Sequence, residues 1–286
     1  MNFEAAEHRI KELSDLLHHY NYLYYVKNES VVSDYEFDML LKELEGLETQ
    51  YPQLLDINSP SKRVGGDITK KFDTVKHKYP MLSLSNTYSK EEIIEWEERI
   101  KKTIESDIEY VCELKYDGVA IGIRYVNGIF HSAVTRGDGT QGELISPNVR
   151  TINSIPLKLK APFPDDFEIR GEIFMPLAEF EKLNQERSAN DLPLFANPRN
   201  TASGTLKLQD SSAVSERSLD CFLYGLYQDR SAQSTHFDSV SYAGEMGFKI
   251  PMTSENMISK VSTVDGILKF IAYWDEKRKN LPFEID

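Results

Sequence analysis

The chain has 286 residues, of which 40% are hydrophobic and 28% charged, and its formal net charge at pH 7 is -13. This composition is typical of a globular protein rather than a disordered one, and the length allows about two domains. The acidic balance argues against tight duplex DNA binding by this chain alone, because non-specific affinity comes largely from Lys and Arg that neutralise phosphates.

Membrane proteins and disulfide-rich proteins are both disfavoured. The chain opens with a polar, charged stretch, and no segment reaches the roughly 18 apolar residues of a membrane span, so we expect a cytoplasmic protein. The two cysteines, Cys112 and Cys221, lie in apolar, strand-like runs and are expected to be reduced thiols. Because the sequence has no CxxC pair, a structural zinc site is excluded from this chain.

Helical periodicity dominates the first part of the chain. Apolar residues at three- and four-residue spacing predict a helix over about residues 4–24. Ser33 followed by Glu36 is a capping-box pattern, and it predicts a second helix that ends near Tyr51 and Pro52. The polar, breaker-rich stretch from Asn58 to Gly66 is interpreted as a linker, with Gly65 and Gly66 as a candidate hinge.

Short strands follow, so we expect a small helical domain over residues 1–68 and a second domain over 69–286. Pro176 favours a helix start, residues 197–200 are interpreted as the centre of a loop, and a last helix is expected over about 264–277. Strands without a regular βαβ alternation predict an α+β fold with mainly antiparallel sheets. The predicted strands cover residues 110–114, 119–126, 129–135, 167–175 and 219–227, with a hairpin turn at Asn127 and Gly128.

Lys115 lies between two carboxylates, Glu113 and Asp117, in a connection between two predicted strands. A lysine amine attacks phosphorus only when deprotonated, which requires burial or neighbouring cations. Adjacent carboxylates favour the protonated form, so they are better explained as ligand and metal contacts than as activators. The alternative for this KxDG motif is a strand-end lysine paired with a surface aspartate.

Two further motifs follow the lysine in order. Arg136 leads a glycine-rich loop ending at Gly142, which could bring backbone amides and a guanidinium near phosphate or ribose oxygens, or could be a wide hairpin connection. Glu172, in the strand sequence RGE, could accept hydrogen bonds from sugar hydroxyls or form a cross-strand ion pair. The order KxDG, RGDG and RGE strengthens the functional interpretation of all three.

This order resembles the covalent nucleotidyltransferases, which include DNA ligases, RNA ligases and mRNA capping enzymes, and most specifically the NAD-dependent DNA ligases. The resemblance implies a small helical N-terminal domain that binds nicotinamide mononucleotide (NMN), then a nucleotidyltransferase (ATP-grasp-like ligase) domain of mainly antiparallel sheets with flanking helices. The blocks that carry the narrower resemblance are Tyr24-Tyr25 and residues 33–38, 81–86, 113–118 and 195–200.

The resemblance implies that Lys115 attacks the adenylyl phosphorus of NAD, releases NMN and holds AMP through a phosphoramide bond. Asp117 would place the lysine or a magnesium ion. The remaining implied contacts are Glu113 with adenine, Ser83 and Leu84 lining the adenine pocket, and Arg136 and Glu172 holding the ribose and phosphate.

The helical domain would bind the nicotinamide half of NAD. Tyr24 and Phe37 would sandwich the cationic ring, which favours both aromatic faces and carboxylates, although plain helix packing is the alternative. Asp34 and Asp38 would bind the ribose or amide, and Tyr25, Tyr35 and Glu36 belong to the same set. In the part expected to face nicked duplex DNA, Arg199 and Lys207 are candidate contacts.

The sequence departs from the family at several points. Phe37 replaces the usual Tyr, Tyr25 a frequent His, and Lys207 a frequent Arg, which would turn a bidentate phosphate contact into a point charge. Beyond Asp286 the family continues into essential lysine strands, an OB-fold, a four-cysteine zinc module, helix-hairpin-helix motifs and a BRCT domain. We therefore expect an adenylation domain incomplete at its C-terminal end.

Such a chain is expected to be a monomer that adenylates itself slowly or not at all, binds DNA weakly and seals no nicks. An ATP-dependent ligase or capping enzyme is a second reading, but the N-terminal Tyr and Asp set has no role in an ATP user. A third is a non-catalytic NAD-binding module that kept the pocket and lost the chemistry.

Overall fold

Two long helices form the N-terminal part of the protein. A computed structural model describes residues 2–27, 29, 31–64, 72–229, 235–252 and 256–286. Helices α1 (Phe3–Lys27) and α2 (Asp34–Gln50) pack through Leu13 and Leu17 of α1 and Leu44 of α2, which are fully buried. Both helices were predicted from apolar periodicity, and burial of that stripe is what holds an amphipathic helix in place.

The start of α2 is a capping box, as the sequence predicts. The Ser33 hydroxyl accepts a hydrogen bond from the Glu36 amide at 3.3 Å, and the Glu36 carboxylate accepts one from the Ser33 amide at 3.1 Å. Two helix-end donors are thereby satisfied reciprocally, which defines where the helix begins.

The rest of the chain alternates short strands with helices, and the predicted strands are confirmed to within one residue at most ends. Helix α9 has the predicted limits. The elements are β1 (Thr74–Lys76), α3 (Lys90–Lys101), β2 (Tyr110–Glu113), β3 (Val119–Val126), β4 (Ile129–Thr135), β5 (Gln141–Glu143), α4 (Ser146–Arg150), β6 (Asp166–Phe174), α5 (Leu177–Ala189), α6 (Pro198–Leu206), α7 (Ser211–Ser215), β7 (Asp220–Tyr227), α8 (His236–Glu245), β8 (Ile258–Val261) and α9 (Val264–Lys277).

The main sheet has the strand order β4-β3-β6-β7, and every pairing in it is antiparallel. Asn127 and Gly128 join β3 to β4 with φ values of 50° and 74°, the left-handed conformations that a two-residue hairpin turn of this kind requires. Two smaller antiparallel pairs, β1-β5 and β2-β8, flank the main sheet. The α+β expectation is therefore confirmed.

Side chains along β3 and β6 point alternately to the two faces of the sheet, one of which is the buried core face and the other a polar face. Ile123 and Tyr125 of β3 and Ile169 of β6 are fully buried on the core face. The Tyr125 ring packs against three phenylalanines, and its hydroxyl donates a hydrogen bond to the Pro156 carbonyl at 2.6 Å. Because successive side chains of a strand point to opposite faces, Glu168, Arg170 and Glu172 line the other side of the sheet.

The predicted loop over residues 197–200 is wrong. Asn197 is the N-cap of α6, where its side chain accepts a hydrogen bond from the Asn200 amide at 2.7 Å, and Pro198 occupies the first helical position. Asn followed by Pro favours both a turn and a helix start, and packing of Ala202 and Leu206 in the core decides for the helix.

The predicted linker is partly packed rather than open. A 3-10 helix covers Pro60–Val64, and Asn58 and Ser59 are buried. The Arg63 guanidinium is buried too, where it donates to the carbonyls of Ile152 and Ile155 at 2.8 Å each. The candidate hinge at Gly65 and Gly66 lies outside the described residues.

Both cysteines are free thiols, as predicted, with Cys221 buried and Cys112 partly buried. Burial raises the pKa of both thiols, which favours the uncharged, unreactive form. In the part of the chain that is described, no helix is long and apolar enough to span a membrane.

Candidate active site

Lys115 lies in the short connection between β2 and β3. Its ammonium group forms an ion pair with the Asp286 carboxylate, and about half of the lysine side chain is exposed. The backbone around it is held by residues 284–286: the Asp286 amide donates to the Lys115 carbonyl at 2.8 Å, and the Asp117 amide donates to the Glu284 carbonyl at 3.1 Å. The lysine is therefore presented by paired backbone rather than by a free loop.

Tyr116 anchors the same segment from the opposite side. It is 5% exposed, stacks on Phe222 with ring centroids 4.9 Å apart, and meets Phe283 edge to face. Since neighbouring side chains of extended backbone point in opposite directions, burial of Tyr116 turns Lys115 and Asp117 towards the same open side. The aromatic cluster thus orients both predicted catalytic side chains.

Gly118, the last residue of the KxDG motif, is required by the sheet. A Cβ atom at this position would overlap the carbonyl oxygen of Ile173 and lie 3.1 Å from Cγ of Glu172. Only glycine lets β3 begin this close to β6, so the chain directly after Asp117 runs against the strand that carries Glu172.

Asp117 and Arg199 form an ion pair, with Oδ1 and Nη1 2.9 Å apart. The pair depends on α6, because Arg199 is the second residue of that helix. Arg199 was predicted as a DNA contact, and the structure brings it to the predicted catalytic aspartate. Lys207, the other predicted DNA contact, follows α6 and pairs with Glu143 of β5 at 2.7 Å.

Glu172 is the most perturbed carboxyl group of the site. Burial raises its pKa to about 7, against the opposing effects of a hydrogen bond from Tyr224 and the charges of Arg199, Lys115 and Arg136. The Tyr224 hydroxyl donates to Oε2 at 3.3 Å. A partly buried carboxyl group that feels the charges of three cations is a typical feature of a functional site. Tyr224 carries no motif that sequence reasoning could have used.

The raised pKa of Glu172 makes a prediction for stability. The Glu172 carboxyl group contributes its full stabilisation of the folded protein at pH values below its pKa in the unfolded chain. This contribution is lost as the pH rises through about 7, its pKa in the folded protein. We therefore expect Glu172→Gln to be more stable than the parent at pH 8 by up to about 3 kcal/mol, and the difference to vanish near pH 4. Urea unfolding at both pH values measures this.

Glu276 of α9 is the control, because its side chain is exposed and replacing it with glutamine removes no buried charge. A difference at pH 8 no larger than for Glu276→Gln would contradict the burial of a carboxylate at position 172.

Arg170 fixes the segment that enters the predicted adenine pocket. Its buried guanidinium donates to the Pro80 carbonyl at 2.9 Å and also to the carbonyl of Tyr79, and it lies 4.0 Å from the Tyr227 ring centre. Sequence reasoning did not assign this role, and only the charge of a strand arginine could have suggested it. The segment continues through Met81 into Ser83 and Leu84, which are exposed.

The loop led by Arg136 is built differently from the prediction. The Asp138 carboxylate accepts hydrogen bonds from the amides of Thr140 and Gln141 and from the Thr140 hydroxyl, which lowers the aspartate pKa to about 2. Those amides are satisfied within the loop and do not form an open phosphate cradle. Arg136 itself has an exposed side chain, and its charge acts on Glu172.

Glu113 contacts a residue that the sequence analysis missed. Its Oε2 atom lies 2.9 Å from Nε2 of His236, the first residue of α8, 123 residues further along the chain. No motif surrounds His236, so only the fold reveals this contact.

The predicted NMN-binding side chains that the structure describes divide into two groups. The Glu36 carboxylate is engaged by Ser33, and Phe37 packs against the α1–α2 core, which is the helix-packing alternative. Tyr24, Tyr35 and Asp38 have exposed side chains, at 53% for Tyr24 and 74% for Tyr35. The side chains of Tyr25 and Asp34 lie outside the described residues.

A magnesium ion would have few protein ligands here. Within the described ranges, no three His, Cys, Asp or Glu side chains form a cluster able to hold a metal. Asp117 already accepts from Arg199 through Oδ1, so it offers at most its second oxygen freely. This donor set fits Mg²⁺ that takes most of its ligands from phosphate and water, which is how proteins often bind this ion.

Comparison with known proteins covers nearly the whole chain. Residues 69–286 match the family described as the NAD-dependent DNA ligase adenylation domain, and residues 3–65 match the DNA ligase-like N-terminal NAD+-binding domain. The chain is 50% identical over 287 aligned residues to a protein named DNA ligase from Cytophaga hutchinsonii, covering 100% of this chain and 42% of the relative. DNA ligases of Christiangramia forsetii and Phocaeicola vulgatus are each 51% identical, over 98% and 97% of this chain and 42% and 41% of the relatives.

Proposed function

Because the chain belongs to the NAD-dependent DNA ligase family, we propose that it performs the first step of DNA ligation, transfer of AMP from NAD to Lys115. The chain spans about two fifths of the length of the curated relatives it matches. In the longer proteins, AMP would then pass to the 5′-phosphate at a DNA nick and be released when the 3′-hydroxyl attacks, during replication and repair. We propose a cytoplasmic monomer.

In the proposed step, Nζ of Lys115 attacks the adenylyl phosphorus of NAD. A nitrogen–phosphorus bond forms, the bond from that phosphorus to the bridging oxygen breaks, and NMN leaves with the bonding electrons. The ammonium group must first lose a proton to solvent, and in this structure it is paired with the Asp286 carboxylate. Lys115 therefore becomes a nucleophile when bound NAD and neighbouring cations displace or offset that carboxylate.

The other side chains of the site position the nucleotide. Asp117, held by Arg199, would place the lysine and contribute to a magnesium site, where the ion would neutralise charge on the phosphates. Glu172 and Arg136 would hold the ribose and phosphate, and Glu113 the adenine. Ser83 and Leu84 would line the adenine pocket beside the segment that Arg170 fixes.

The helical domain is proposed to bind the nicotinamide half of NAD. Exposed Tyr24 and Asp38 are accessible for this role, and Phe37 would offer one ring face while its other face packs on the helices. Asp34, Tyr25, Tyr35 and Glu36 complete the proposed set. Since Glu36 is held by the capping box, we assign it the task of keeping the start of α2 in place.

One observation carries the proposal. Lys115, Asp117, Glu172 and Arg199 come from three distant parts of the sequence, and direct or electrostatic contacts join them into one group. A purely structural ion pair would not explain why one partly buried glutamate lies near two arginines and a lysine. A binding site for a negatively charged nucleotide explains it, because the cations would offset the charge of the phosphates.

Intact-mass spectrometry tests the proposal. The chain is incubated with NAD and magnesium, and in parallel with ATP and magnesium. A mass increase of one AMP with NAD alone is the expected result, although we expect it to form slowly while Asp286 pairs with the lysine. An adduct with ATP would favour an ATP-dependent nucleotidyltransferase. Tight NAD binding by calorimetry without any adduct would favour the non-catalytic NAD-binding module.

A further inference from the structure

The carboxylate of Glu113 has one satisfied and one unsatisfied oxygen. Oε2 lies 2.9 Å from Nε2 of His236, whereas Oε1 is buried and has no hydrogen-bond partner within the part of the chain that the structure describes. A buried acceptor without a donor costs roughly 1–3 kcal/mol, more when it is charged. An oxygen of this kind is a place where a ligand donor would be stabilised.

His236 is itself held in place. It is the first residue of α8, and Thr235 caps this helix by accepting a hydrogen bond from the Asp238 amide at 3.1 Å. The imidazole is therefore presented by a fixed helix end rather than by a flexible side chain on a loop. The hydrogen bond with Glu113 raises the pKa of His236, which favours the form of the imidazole that donates to the carboxylate.

We propose that His236 is a positioning residue that holds the Glu113 carboxylate so that its free oxygen accepts a hydrogen bond from the 6-amino group of adenine. The inference rests on the proposed function, in which Glu113 contacts adenine. It adds a residue outside the sequence motifs, and it assigns to the pair the selection of 6-aminopurines over 6-oxopurines.

The chemistry of the pair explains this selection. An ionised carboxylate can only accept hydrogen bonds, and the 6-oxo group of hypoxanthine is also an acceptor. The Glu113 carboxylate and the 6-oxo group would then face each other as two acceptors in a partly buried site. The carboxylate could not rotate away while His236 holds Oε2. A site built around a ligand donor rejects an analogue that lacks it by a large factor. If the carboxylate were free to rotate, much of that discrimination would disappear.

The test compares NAD with nicotinamide hypoxanthine dinucleotide, whose purine has the 6-oxo group. Dissociation constants for both are measured by calorimetry on the parent chain and on His236→Ala, His236→Gln and Glu113→Ala. Glutamine can place an amide N–H where Nε2 of histidine lies, so it should restore the contact. His131→Ala is the matched control, because His131 is exposed on β4, where its ring hydrogen-bonds to the hydroxyl of the neighbouring Ser132.

We expect the parent to prefer NAD by at least about 100-fold. His236→Ala should reduce this ratio by at least about tenfold, His236→Gln should recover most of it, and His131→Ala should leave it unchanged. The ratio of the two dissociation constants is informative because a general loss of folding would weaken the binding of both dinucleotides alike.

Three results would count against the inference, and they are distinguishable. A parent-like ratio in His236→Ala would overturn the role of His236. A parent-like ratio in Glu113→Ala would overturn adenine reading by this pair while leaving self-adenylation intact. A parent chain that binds neither dinucleotide would overturn the proposed function and the inference together.

Discussion

Replacing Lys115 with arginine should abolish adduct formation with NAD and leave the fold intact. Arginine keeps the positive charge and can still pair with Asp286, but a guanidinium stays protonated and is a poor nucleophile. We expect the rate of adduct formation to fall by at least about 10⁴-fold, since loss of a covalent nucleophile removes the reaction path itself. Intact-mass spectrometry over a time course measures the rate.

Lys102→Arg is the matched control, because Lys102 is an exposed lysine at the end of α3. It should form the adduct at the parent rate. An adduct of unchanged yield in Lys115→Arg would show that another residue is modified and would remove Lys115 from the mechanism. Peptide mapping of the parent adduct gives the same answer independently.

Gly118→Ala should strongly reduce both stability and adenylation. The added methyl group would overlap the Ile173 carbonyl, so the start of β3 must move away from β6. We expect a loss of about 2–4 kcal/mol in the free energy of unfolding, comparable to other forced core distortions. Displacement of Asp117 and Lys115 relative to Glu172 should lower the adenylation rate by at least about 100-fold, because geometry at a reacting centre is sensitive to shifts of about 1 Å.

Gly46→Ala isolates the effect of position. This glycine lies in α2, and a Cβ there would meet nothing within 4 Å. Alanine should stabilise the helix by about 0.5–1 kcal/mol and leave adenylation unchanged. Urea unfolding and the mass assay are run on both variants. If Gly118→Ala were as stable and active as Gly46→Ala, the close approach of β3 to β6 would not be needed for the site.

Elements with a clear local signal were predictable. The apolar stripe of α2 and its Ser33–Glu36 capping box lie within a few residues of one another, so the sequence alone predicts both the helix and the residue at which it begins. The β3–β4 hairpin is equally local, because Asn127 and Gly128 tolerate the positive φ angles that the turn needs. The prediction for residues 197–200 was wrong because their local signal suits a loop and a helix start equally well.

The motifs named several residues of the site without naming their partners. Lys115, Asp117, Glu172 and Arg136 could be selected because their residue types and order match a nucleotidyltransferase. The sequence could not predict the protonation state of Glu172, because the pKa of this group depends on burial and on charges supplied by other elements. The same limit applies to Asp138, whose carboxylate serves the turn that contains it.

By itself, the sequence determined the helical beginning, the antiparallel α+β character of the remainder and the lysine on which the proposed chemistry depends, since periodicity and short motifs encode these locally. Only the tertiary structure decided that Asp117 meets Arg199 across 82 residues and that Glu113 meets His236 across 123. Such pairs are formed by packing of the sheet and helices between them. No spacing along the chain records which distant side chains that packing will bring together.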